Sequence, residues 1–152
     1  MKKIVLTLLI IVFILSGCSK RVTLDEYLLL DEVQQYQEAL FTYKEAHINL
    51  YENVPDIESI KYKNGLLKIY SDFKKEYDIF IEYDPGELSN LAKELHYLYR
   101  RIGYVDLKSN ELYLKSYKVE DQKGTLQEAN KYMEESALLS DQLDSFYEKY
   151  IY

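Results

Sequence analysis

The chain has 152 residues, with 26 acidic and 19 basic side chains for a formal net charge of −7, one Cys and no Trp. This length suits a single domain whose core needs no metal or disulfide to hold it. The acidity weighs against a nucleic-acid partner, which requires a basic stripe to displace counterions, and one Cys cannot build a disulfide framework.

The first element is a leader. Lys2-Lys3 precede an apolar run from Ile4 to Leu15, interrupted only by Thr7, and the run ends in Leu15-Ser16-Gly17-Cys18 followed by Ser19-Lys20-Arg21. A positive start and about 12 apolar residues match a secretory signal, whereas a membrane span needs about 20. Residues 1–20 resemble the bacterial prolipoprotein signal peptide, whose lipobox reads Leu, small, small, Cys. That resemblance implies a diacylglycerol thioether on Cys18, cleavage after Gly17 and commonly a second acyl group on the freed amine. The expected organisation is a signal peptide over 1–17, a lipidated membrane-proximal tether over 18–22 and a helical domain over 23–152. Cleavage would leave 135 residues with a net charge of −9, held at the outer face of the cytoplasmic membrane. Abundant Lys, Ile, Tyr and Glu fit an AT-rich genome of Gram-positive type.

Four helix starts follow. Thr23-Leu24-Asp25-Glu26 reads as a capping box, in which the Thr hydroxyl and the Glu carboxylate each take a free backbone N–H. Asp56 after Val54-Pro55 reads as a second cap. Asp84-Pro85-Gly86-Glu87 reads as a third, with Pro at the first helical position, and Thr125-Leu126-Gln127-Glu128 as a second capping box.

Seams spaced alternately by three and four residues run between these starts. The first is Leu29, Val33, Tyr36, Leu40, Tyr43, His47 and Leu50. The second is Tyr62, Leu66, Ile69, Phe73, Glu76, Phe80 and Tyr83. The third runs from Leu88 and Leu91 through Leu95, Leu98, Ile102, Val105, Ser109, Leu112 and Ser116 to Val119. The fourth is the more polar Leu126, Ala129, Met133, Ser136, Ser140, Leu143, Tyr147 and Tyr150. Sustained 3.5-residue spacing marks helices packed side by side, and strands would alternate every second residue.

Short connections near 52–56, 84–86 and 120–124 then predict an all-α, antiparallel up-down-up-down four-helix bundle with helices of roughly 27–33 residues. The alternative is three long helices with a broken or hairpin second segment. Asn64-Gly65 is a good hairpin turn, yet that register opposes Lys61 to Lys68. The expectation is therefore a helix broken or kinked at Gly65. Gly103, inside the third seam, should cost about 1 kcal/mol against Ala.

Little in the chain suits catalysis. The residues three before His47 and His96 are Lys44 and Lys93, so the Glu-x-x-His pair of di-iron bundles is missing. No zinc, calcium, phosphate or nucleophile-elbow motif occurs, so no cofactor or metal is expected and the chain reads as a non-enzyme. His47 is expected to be a hydrogen-bonded seam residue and His96 to be partly exposed. The 17 tyrosines stand out. Tyr43 is expected to be buried beside Ser109 or Ser136. Tyr27, Tyr51, Tyr97, Tyr99, Tyr104, Tyr113, Tyr117 and Tyr132 fall off the seams, so some of them must be exposed. Tyr51, Tyr113, Tyr117 and Lys123, near the end away from the lipid, form the candidate partner surface. Two functions stay open. One is a protein-binding lipoprotein, such as an immunity or exclusion factor or an accessory of a membrane complex. The other is a lipoprotein that binds cell wall or a small ligand.

Overall fold

The computed structural model describes residues 21–152, so the leader, the lipobox, Cys18 and Lys20 lie outside the described residues. The fold is all-helical: α1 (Leu24–Leu28), α2 (Asp31–Asn53), α3 (Ile60–Glu82), α4 (Asn90–Ser116) and α5 (Gln122–Tyr150). No strand occurs among the described residues, only an isolated bridge between Val22 and Leu88. The four long helices have 23, 23, 27 and 29 residues, somewhat shorter than the seams suggested. Packing is closest between α4 and α5, followed by α2 on α3 and α3 on α4.

The sequence placed the helix starts unevenly. Thr23 and Glu26 do form the capping box, but the helix they open lasts five residues. Leu30 is extended at φ −69° and ψ 131°, which turns the chain before α2. The turn seats Leu24 and Tyr27 in the base of the core and leaves Leu29 outside, 72 % exposed and off the expected seam. Asp56 does not cap α3. Its carboxylate accepts from the Glu58 N–H in a local turn, and Ser59 caps the helix through the Tyr62 N–H. Asp84 likewise closes a turn, accepting from the N–H of Gly86, whose φ of +77° suits glycine. α4 therefore begins only at Asn90, with Ser89 as its cap. Asp121 starts α5 one turn ahead of the expected box, so Thr125 lies inside the helix and its hydroxyl bonds the Asp121 carbonyl.

α3 runs through Gly65 with neither a hairpin nor a break, and Leu50 of α2 lies against that glycine. In α5 the buried stripe is Ala129, Ser136, Leu139, Leu143 and Phe146, whereas Met133 and Tyr150 are exposed. The stripe is offset from the expected one because Leu139 and Phe146, not Ser140 and Tyr147, bring the larger apolar area inward. α4 is buried on two sides, since α3 and α5 both pack on it.

Gly103 reverses the cost expected of it. A methyl group there would strike the Tyr36 hydroxyl and the edge of the Tyr77 ring. Tyr36 is fixed in that place, stacked on Phe80 at 4.1 Å and donating to the Tyr99 carbonyl at 2.9 Å. Overpacking costs about 1–3 kcal/mol, against roughly 1 kcal/mol gained in helix propensity. Gly103→Ala should therefore lower the melting temperature, by up to about 8 °C. At Gly65 the obstacle is only a flexible Leu50 methyl, so Gly65→Ala should be nearly neutral. A higher melting temperature for Gly103→Ala would refute this packing account.

Candidate functional site

The site is built on a stripe of α4 that the apolar seam conceals. Tyr99, Gly103, Asp106, Asn110, Tyr113 and Tyr117 recur at steps of four and three, one position beyond Leu98, Ile102, Val105, Ser109, Leu112 and Ser116. The stripe faces α2 at a constant register. Tyr36 bonds the carbonyl of Tyr99, Tyr43 that of Asp106, and His47 the amide of Asn110, each 63 residues apart.

Near the far ends of α2 and α4 these two helices, α5 and the start of α3 leave a cleft of about 680 Å³ between them. Its floor is polar. Asn110 Nδ2 lies 2.7 Å from the Tyr43 hydroxyl and 3.0 Å from His47 Nε2. The His47 ring meets Tyr43 edge-on at 4.6 Å. Ser136 of α5 donates to Asp106 Oδ1 at 2.5 Å. Asp106 Oδ2 is buried and has no hydrogen-bond partner among the described residues, and the whole residue is only 8 % exposed. Lys44 crosses the edge of the cleft to Ser140 Oγ at 2.7 Å. Ile48, Tyr51, Ile57 and Met133 line the cleft as well, with much of their surface in solvent.

Burial sets the charges. Desolvation pushes the Asp106 carboxyl up to about 6, against the Ser136 hydrogen bond and the Lys44 charge, which lower it. Desolvation holds the His47 imidazole down to about 4, so it is neutral at physiological pH. Burial also raises Tyr43 and Tyr36, with the nearby Asp106 charge adding to the effect. A neutral imidazole that accepts from Asn110, the Asn110 amide and a carboxylate with one unpaired oxygen form the floor.

The expected partner residues separate. Tyr51 and Tyr113 both line the cleft, and Tyr113 also donates to Asn130 Oδ1 at 3.0 Å. Tyr117 is half-buried. Its hydroxyl bonds the Ile57 carbonyl, and Lys63 lies 5.0 Å from its ring centre, so it fastens the α2–α3 loop. Lys123 is exposed in the first turn of α5, outside the cleft. Tyr43 is buried as expected and lines the cleft with Ser109 and Ser136, but its hydroxyl meets Asn110 and the Asp106 backbone instead. Ser109 bonds the Ala129 carbonyl.

Tyr97, Tyr104 and Tyr51 are exposed, whereas Tyr27 and Tyr99 are fully buried. These two anchor a second polar network at the base. Tyr27 meets His96 Nδ1 at 2.8 Å, and Gln37 reaches Tyr99 at 2.5 Å and Tyr147 at 2.9 Å. That network satisfies its own polar atoms, and His96 also lines a surface cleft of about 380 Å³ with Tyr77, Tyr97 and Arg100.

Among the described residues no group of three His, Cys, Asp or Glu could hold a metal, and no helix is long and apolar enough to cross a membrane. No family model, no curated protein and no solved structure matches the chain.

Proposed function

We propose that this chain is a lipid-anchored envelope protein that acts by binding a protein partner rather than by catalysis. In this reading Cys18 carries the lipid, the signal peptide is removed after Gly17 and the rest stands on the outer face of the cytoplasmic membrane. The domain is an antiparallel up-down-up-down four-helix bundle. The constant 63-residue offset from α2 to α4 supports a common direction for those two helices. The descending pairs Tyr99–Tyr147, Asp106–Ser136 and Tyr113–Asn130 support the opposite direction for α5. Such an order returns the C-terminus to the base near Val22 and turns the cleft away from the membrane.

The observation that carries the binding role is the exposed apolar cluster of Ile48, Tyr51, Ile57 and Met133 around that cleft. Amphipathic rings and flexible thioethers are the usual anchors of protein contacts. A photo-crosslinker at Tyr51 or Lys123 should capture an envelope protein, and one at Tyr152, which is 96 % exposed, should capture mainly lipid. Capture of protein only from Tyr152, or from no position, rejects the orientation. Intact-mass analysis of the membrane fraction should find Cys18 acylated, and an unmodified thiol rejects the anchor.

A second reading, binding of a small ligand within the cleft, is favoured by one observation: the buried Asp106 Oδ2 that no described residue satisfies.

A further inference from the structure

Resting on that second reading, the geometry points to the distal cleft as a site for a small molecule that carries a primary ammonium on an aromatic or alkyl stem, with Asp106 Oδ2 as the acceptor. Buried polar atoms in folded proteins almost always have a partner, so the unpaired oxygen of a cleft-lining carboxylate calls for a donor. The polar neighbours do not supply one. Asn110 is committed to Tyr43 and His47, Ser136 to Oδ1 and Lys44 to Ser140.

The rest of the wall suits a cation on an apolar stem. Tyr43, Tyr51, Tyr62 and Tyr113 all line the cleft, and ring faces attract ammonium groups. His47 is neutral and does not repel a positive charge. A volume of about 680 Å³ falls within the range of small-molecule pockets, roughly 300–1,000 Å³. The depth of Asp106 favours a free molecule over a surface segment of a partner.

Tyramine and its neutral isostere tyrosol differ only in the amine and test the assignment by equilibrium dialysis. The protein is the full chain purified from membranes and held in nanodiscs, with empty nanodiscs as the reference. Tyramine should bind at least tenfold more tightly than tyrosol, and Asp106→Asn should remove that preference. The Asn side chain keeps an acceptor for Ser136, so the fold should survive.

Wild-type protein supplies a test that needs no variant, because tyramine affinity should fall as pH drops through about 6. Asp106 is faced by Tyr36, Tyr43 and Lys44 of α2, Ser136 of α5 and Asn110 on α4, with Tyr62 of α3 across the cleft. Tyr36, Tyr43 and Tyr62 are all raised, and His47 is held near 4, which leaves Asp106 as the titrating group. Equal binding of tyrosol, an unchanged Asp106→Asn, no loss of affinity below pH 6, or no saturation by millimolar tyramine overturns the assignment. A short lysine peptide that binds where tyramine does not would also overturn it. The crosslink at Lys123, outside the cleft, reports on the protein partner independently of any of these results.

Discussion

Raising the pH beyond 10 should unfold this protein cooperatively within about one to three pH units. Tyr27, Tyr36, Tyr43 and Tyr99 are buried, and desolvation holds each phenol well above its ordinary value of 10.0. The neighbouring Tyr147 pushes Tyr99 and Tyr27 further in the same direction. A folded-state value above the unfolded one gives stability that is complete below pH 10 and lost as pH rises. Each such phenol removes about 1.4 kcal/mol per pH unit, so four remove about 5–6 kcal/mol per unit. A domain of this size has roughly 5–15 kcal/mol in total. Far-ultraviolet circular dichroism should therefore collapse together with the phenolate absorbance of these four rings. Helices that persist while all 17 tyrosines ionise as ordinary phenols would contradict the burial of the four.

On the acid side, Asp106→Asn should change the pH profile more than its single charge suggests. Asp106 is raised from 3.8 to about 6, so it contributes stability at low pH that is lost as pH rises through 6. His47 is lowered from 6.5 to about 4, so its contribution is present above 6.5 and lost as pH falls through 4. Each amounts to roughly 3 kcal/mol, and across pH 4–6.5 they run in opposite directions. His96 is depressed too, by burial first and the Arg100 charge second, and adds to the loss on acidification. The wild-type denaturation midpoint should thus vary little between pH 6.5 and 4.5. Asp106→Asn should be more stable at pH 7 and then decline steeply on acidification. Urea titrations at several pH values decide the matter, and parallel profiles for the two proteins would discard the compensation.

The apolar seams of α2, α3 and most of α4 were legible in the sequence, because Leu, Val and Phe at three-four spacing have one low-energy orientation. The polar stripe from Tyr99 to Tyr117 has the same spacing in α4. Its Asp106 and Asn110 carry no signal of their own in the sequence, since polar residues at helical spacing are usually exposed. Only the long side chains of α2, Tyr43 and His47, reaching across to Asp106 and Asn110, turn that stripe into the floor of a cleft. The α5 stripe was misread for a related reason: Ser136 and Ser140 are the same residue type at helical spacing, yet only Ser136 is buried, where it bonds Asp106. Helix starts failed where competing caps lay near one another. Ser59, Ser89 and Asp121 each took the role that Asp56, Asp84 and Thr125 could also have filled.

The pairing at Val22 has a mechanical consequence. Its N–H donates to the Glu87 carbonyl at 2.7 Å, and the Ser89 N–H donates to its carbonyl at 2.8 Å. Any tension that reaches the domain through Arg21 meets this clip before it meets a helix. Force then divides between the plug of Leu24 and Tyr27 and the root of α4, the most deeply buried helix. Drag along the chain is thereby carried to the centre of the bundle, and the first turn of α2 is spared from being peeled away.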